Sequence, residues 1–212
     1  MAATWHVDRS KEGHTRRRRT IRRMTSVDRL HFTGDDDADR LLVTDPMALL
    51  IGFALDQPVP VQKAFSGPQV LLERLGTLDP AQLAKVDEAA LLAAAKGPPA
   101  IHRFPATMAT RVRELAAYVA REYNGDASRI WTDAADAHDL VRRLGALPGF
   151  GKMKVASLLA VLARRLDVRP AGIDEALPTH PTLGDVDSPA ALAEYQATKR
   201  AARAAKRAAS AS

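Results

Sequence analysis

Leu147-Pro148-Gly149-Phe150-Gly151-Lys152 is the stretch that decides how this chain folds. A helical pattern precedes it over roughly 134–144, and another follows from Lys152 to Leu166. Two glycines around one residue permit a turn so tight that its backbone N–H groups point outward together. The helix opening at Lys152 adds its unpaired first-turn N–H groups and the positive end of its dipole. Such a bend suits one DNA phosphate, with Lys152 adding charge, and it positions a duplex without reading the bases. Leu147 and Phe150 are expected to be buried, locking the two helices around the turn. The plainer alternative is an ordinary helix connection that happens to hold proline and glycine.

Outward from the hairpin the pattern stays helical. Upstream, Thr44-Asp45-Pro46 joins a capping side chain to a proline at the first helical position. The apolar helix Met47–Leu55 follows and ends at Gln57-Pro58. Further helices are expected at 60–65, 68–75 (after Gly67-Pro68), 80–84 and 87–95, before Gly97-Pro98-Pro99 breaks the chain. Phe104–Tyr123 reads as one more, stopped by Asn124-Gly125. The acidic run Asp35–Asp37 precedes a pattern starting at Asp39, residues 167–188 read as loop, and Ser188-Pro189 opens a last helix fading into a basic tail. There is no strand pattern and no internal repeat. Aromatics at 5% are scarce while alanine and leucine abound, which favours packed helices. The expected class is all-α.

The 212 residues fit one domain with tails, or two small helical subdomains. The net charge of +6 is unevenly spread. Residues 1–23 hold eight basic and two acidic residues; residues 199–212 hold five basic and no acidic ones. The remainder is mildly acidic. The expected organisation is a basic, poorly structured extension over 1–32, a helical domain over 33–198 with its hairpin at 134–166, and a basic Ala/Lys/Arg tail over 199–212. Met24 offers a later start to the reading frame. A charged end is either a solvated tail or an electrostatic tether for phosphates, weakened by salt. There are no cysteines, which excludes disulfides and an iron–sulfur cluster. Met47–Leu55 is too short an apolar run to span a bilayer, so no membrane partner is expected. The histidines show no metal-ligand spacing. A cytoplasmic, nucleoid-associated monomer is the expectation.

The segment Leu147-Pro148-Gly149-Phe150-Gly151-Lys152 resembles the helix–hairpin–helix of the HhH-GPD superfamily of base-excision DNA glycosylases, related to endonuclease III. The resemblance extends to a long following helix, the loop Arg169-Pro170-Ala171-Gly172-Ile173 and then Asp174. Upstream, Asp45-Pro46 to Gln57 is similar to the family's early helix and its glutamine-bearing loop. In all it covers roughly residues 39–198, closest to a compact, cysteine-free branch. It implies that the partner is double-stranded DNA. It further implies that the hairpin (Leu147, Gly149, Phe150, Gly151, Lys152, Lys154) binds DNA while Gln57 fills the space left by a flipped base. Asp174 would be the catalytic carboxylate, although Asp174-Glu175-Ala176-Leu177 also reads as a helix start. The family's hairpin can hold a monovalent cation; no other cofactor is implied.

The chemistry so implied is hydrolysis of an N-glycosidic bond through a sugar-centred cation, which a nearby carboxylate stabilises while activating water. Relatives that also cut the backbone use a lysine two residues after the second hairpin glycine. Here that position is Met153, flanked by Lys152 and Lys154. A glycosylase without lyase activity is therefore expected, with Lys154 as the displaced candidate for imine formation. A non-catalytic hairpin protein that binds DNA structure is the alternative. The cations Arg142, Arg143, Lys152, Lys154, Arg164 and Arg165 are expected to mark the DNA face. His102, Arg103 and Phe104 are candidate pocket residues, and Tyr118 and Trp131 are expected in the core.

Overall fold

Asp45 accepts backbone N–H bonds from Met47 and Ala48, at 2.8 and 3.2 Å, and so launches α2 (Pro46–Leu55) with proline in its first turn. Every residue from Met47 to Leu55 is buried. A helix apolar on all sides can only lie inside. The computed structural model describes residues 27–211, and it packs α1 (Asp36–Thr44), α3 (Val61–Leu75) and α6 (Pro105–Glu122) against α2. Two shorter helices, α4 (Pro80–Leu83) and α5 (Glu88–Lys96), lean on α6. The rest is α7 (Arg129–Thr132), α8 (Ala137–Gly145), α9 (Lys152–Arg165), α10 (Ile173–Ala176), a 3-10 turn at Leu183–Asp185 and α11 (Pro189–Ala211). In this group α8 packs on α7, α9 and α10, while the 3-10 turn rests on α9 and α11. One continuous apolar core runs through both groups. No strand occurs among the described residues, so the class is all-α.

Several expected boundaries move, each for a packing reason. The helices expected at 60–65 and 68–75 are one helix, α3, with Pro68 inside it. Proline there removes one backbone hydrogen bond. The segment stays helical while packed tightly on α2: a Cβ at Gly67 would come within 2.3 Å of Leu55 Cδ1. The first helix starts at Asp36, because Asp35 accepts the N–H groups of Asp37 and Ala38. The basic extension does not reach residue 32. Leu30 and Phe32 are buried, and Asp39 draws that segment inward by accepting the N–H groups of Phe32 and Thr33, each at 3.0 Å. The Phe32 ring meets Phe65 edge-on at 5.0 Å, and Phe65 meets Phe53 likewise at 5.1 Å. The arginine run Arg16–Arg19 lies outside the described residues. At the other end, 199–212 is no separate tail, since α11 runs unbroken to Ala211. Tyr118 and Trp131 pack against the core as expected.

Among the described residues no helix is long and apolar enough to cross a membrane. The tightest backbone approach is at Gly184, where a Cβ would lie 2.5 Å from the carbonyl carbon of Ala160 and 2.6 Å from its oxygen. Gly184→Ala must therefore push the 3-10 turn off α9, and a loss of about 2 kcal/mol is expected. Gly145, with open space around its Cα, should tolerate alanine or gain up to about 1 kcal/mol. Urea unfolding of the two variants checks this; equal midpoints would contradict the packing.

Candidate functional site

The hairpin between α8 and α9 closes as a tight turn in which Phe150 N–H donates to the Leu147 carbonyl at 3.1 Å. Gly149 sits at φ +79°, a conformation that side chains resist. Leu147 and Phe150 are buried, as expected, while Gly149, Gly151 and Lys152 are exposed. No side chain caps the start of α9. Its first-turn N–H groups therefore lack a side-chain partner at an exposed helix start that also carries Lys152, an arrangement that attracts an anion. Arg111 of α6 comes alongside: its Nε would stand 3.0 Å from a Cβ on Gly149.

One turn into α9 the same surface becomes a pocket. Lys154, half-buried, donates from Nζ to the Ala54 carbonyl at the end of α2, at 3.1 Å. Beyond Ala54, the loop leaving α2 holds Asp56 and Gln57. A cavity of about 220 Å³ lies between this loop, the first turns of α9 and the inner face of α11. Asp56, Gln57, Met153, Lys154, Ser157, Tyr195 and Lys199 line it. Burial pushes the Asp56 carboxyl up, while Lys199, Lys154, the Gln57 N–H and Arg203 pull it down. Burial also lowers the Lys154 ammonium to about 8, Asp56 opposing that fall and Arg111 adding to it. A carboxylate and a weakened ammonium thus share one partly dry recess.

Two exposed side chains flank His102, one of them, Gln57, lining the pocket. Gln57 is held at φ +70° and projects into solvent. Phe104 is 47% exposed with the Arg103 guanidinium 4.7 Å over its ring. His102, buried, lies between them. Its Nδ1 accepts the Phe104 N–H at 3.0 Å, and its Nε2 has no full hydrogen bond but sits near enough to the Gln57 backbone to feel it. Burial holds the imidazole below its ordinary pKa, and Arg111, Lys63 and Arg103 add to this, so His102 is neutral at pH 7.

Of the residues the sequence singles out, Gln57 and Lys154 line the pocket, and the hairpin adjoins it. Asp174 is elsewhere. It lies in the first turn of α10, its side chain 70% exposed and paired with Arg169 at 2.8 Å. The loop before it is tied to the start of α8 by the Ala137 N–H bond to the Ala171 carbonyl. The hairpin leaves the other end of α8, about 13 Å away along a nine-residue helix. Spacing did not reveal the lining residues Asp56, His180 and Lys199, nor Arg111 and Arg203, whose charges act on Lys154 and Asp56. Asp56 carried one signal, a carboxylate set directly after a fully apolar helix.

The expected cationic cluster also thins. Arg142 and Arg143 both bind Asp139, which they hold down to about 2. Arg164 is paired with Asp185. Lys152, Lys154 and Arg165 form no ion pair among the described residues, and Arg111 of α6 stands beside the hairpin. Among the described residues no group of histidines and carboxylates is arranged to hold a metal ion.

In comparisons with known proteins, no family model, no curated protein and no solved structure matches the chain.

The Lys154 amine gives a test by titration. The unfolded chain keeps its lysine proton up to about 10.5, whereas the folded chain releases it near 8. Between those values the unfolded state holds more protons, so this group makes stability rise with pH across that window. NMR titration of Lys154 should show a midpoint near 8, and Asp56→Asn should lower it further by removing the charge that favours the ammonium. A midpoint above 10 would contradict the desolvated setting.

Proposed function

We propose that this protein is a DNA glycosylase of base-excision repair. It holds duplex DNA by its hairpin and hydrolyses the N-glycosidic bond of a base turned out of the stack. One observation carries the reading: the α9 turn whose free N–H groups suit a phosphate also lines a recess holding a carboxylate and an amine. Reactive groups are thus a few residues from a backbone grip, the arrangement needed when a nucleotide must be extruded to be reached. Gln57, exposed and lining the recess, suits the plug that fills the vacated space, and the resemblance to the HhH-GPD superfamily points the same way.

Within this reading the working acid is Asp56 rather than Asp174. As the bond from C1′ to the base nitrogen breaks, its electron pair leaves with the base and positive charge grows on the sugar. The Asp56 carboxylate faces that charge and takes a proton from the water whose oxygen bonds to C1′; that proton goes on to the departing base. Asp174, exposed and paired with Arg169, lacks the desolvated setting this requires.

A panel of lesion-bearing duplexes, treated with alkali to reveal abasic sites, tests the proposal. Asp56→Asn should lower base release by a factor of about 10² or more with DNA affinity kept; Asp174→Asn should change neither. Gly151→Val, which meets open space, should keep helix content and weaken DNA binding about tenfold by covering the exposed N–H groups. Gly149→Val should do the same, with added backbone strain at its positive φ. Binding without base release from any duplex in the panel would instead assign a DNA-structure-binding module.

A second reading rests on Lys154. An amine held near 8 in a pocket is suited to attack the aldehyde of an abasic sugar, which would give strand cleavage as well. Strand breaks without alkali, and a borohydride-trapped adduct absent in Lys154→Ala, would establish it. Intact strands until alkali is added support hydrolysis alone.

A further inference from the structure

After Glu194 the chain has no acidic residue and five basic ones, and after Tyr195 it has no leucine, isoleucine, valine, methionine, phenylalanine or tryptophan. It is nonetheless helical to Ala211, and residues 201–205 and 207–209 are exposed. The root of this half of α11 is fixed. Gln196 and Gln62 exchange amide hydrogen bonds, the shorter at 2.8 Å, and Lys199 donates to the Tyr195 hydroxyl at 2.9 Å. From that root Lys199, Arg200 and Arg203 form one wall of a groove of about 350 Å³. The segment 57–62 forms the other wall, and the groove meets the reactive pocket at Asp56, Gln57 and Lys199.

We infer that this groove carries the DNA strand bearing the turned-out nucleotide, with its phosphates held by Lys199, Arg200 and Arg203 and the contact continued along the helix to Arg207. The inference rests on the function proposed above and adds a second grip on the far side of the pocket from the hairpin. Composition selects the occupant. An apolar protein groove or a lipid surface would require large apolar side chains on the helix, and here only alanines alternate with the cations. Lys199, Arg203 and Arg207 follow one another at i, i+4 and repel. A row of phosphates relieves that repulsion and releases counterions. Asp56 is the opposing charge at the groove floor, and Lys154, Lys199, Arg200 and Arg203 outnumber it.

The test uses the full chain and a duplex with a tetrahydrofuran abasic analogue, its affinity followed by fluorescence anisotropy over a range of salt. Each phosphate contact contributes about 0.9 to the slope of log affinity against log salt. Arg200→Gln/Arg203→Gln should lower that slope by about two and weaken binding about tenfold or more at 0.1 M salt, with circular dichroism unchanged. An unchanged slope, with Gly151→Val still losing binding, overturns the groove assignment and leaves the hairpin reading standing. Absence of binding by the wild type overturns both. Co-sedimentation with phosphatidylserine vesicles that the double variant loses, at an unaltered DNA slope, would assign the helix to a membrane surface and also overturn the inference.

Discussion

The hydrogen bond from Lys154 Nζ to the Ala54 carbonyl joins two parts of the chain one hundred residues apart, and the candidate site depends on it. A helix leaves its last carbonyls without partners, and α2 is buried on every side, so water reaches that end poorly. Lys154 supplies a donor. In doing so it fixes the first turn of α9, and therefore the hairpin, against the loop that carries Asp56 and Gln57. The apolar character of α2 has a chemical consequence as well: because it must be central, the carboxylate that follows it emerges inside a recess.

In that recess burial is the largest influence on both charged groups, and neighbouring charges only partly offset it. Burial disfavours both the Asp56 carboxylate and the Lys154 ammonium, and each partly restores the other. Lys199 and Arg203, arriving from α11, shift the balance toward a charged Asp56. Outside the recess most cations of the hairpin helices are already engaged, Arg142 and Arg143 with Asp139 and Arg164 with Asp185. The field offered to a polyanion therefore comes from Lys152, Arg111 and the basic row of α11, three elements far apart in sequence.

Much of the fold was legible. Capping aspartates, the proline after Asp45, the glycine stops and the apolar spacing of Phe104–Tyr123 locate most helices, because these signals are local. The misses are tertiary. Pro68 argues for a break on propensity alone, yet the segment packs on α2 through Gly67 and continues as helix. Leu30 and Phe32 look like part of a loose arm until Asp39 ties them to the core. The alanine–arginine end reads as a tail, although alanine is the best helix former and Gln196 anchors it to Gln62.

At the site the division is similar. Local order in the chain determined the hairpin, the burial of Leu147 and Phe150 and the exposure of its glycines, since a bend between two amphipathic helices is specified by residues within a few positions of one another. It also brought forward Gln57 and Lys154. Which carboxylate stands beside them was decided only by packing. Asp174 follows the hairpin helix in the chain but leaves at the opposite end of α8, whereas Asp56 arrives because α2 must be buried. Distance in space between a carboxylate and a hairpin depends on where each helix finds its apolar partner, and no spacing in the chain encodes that.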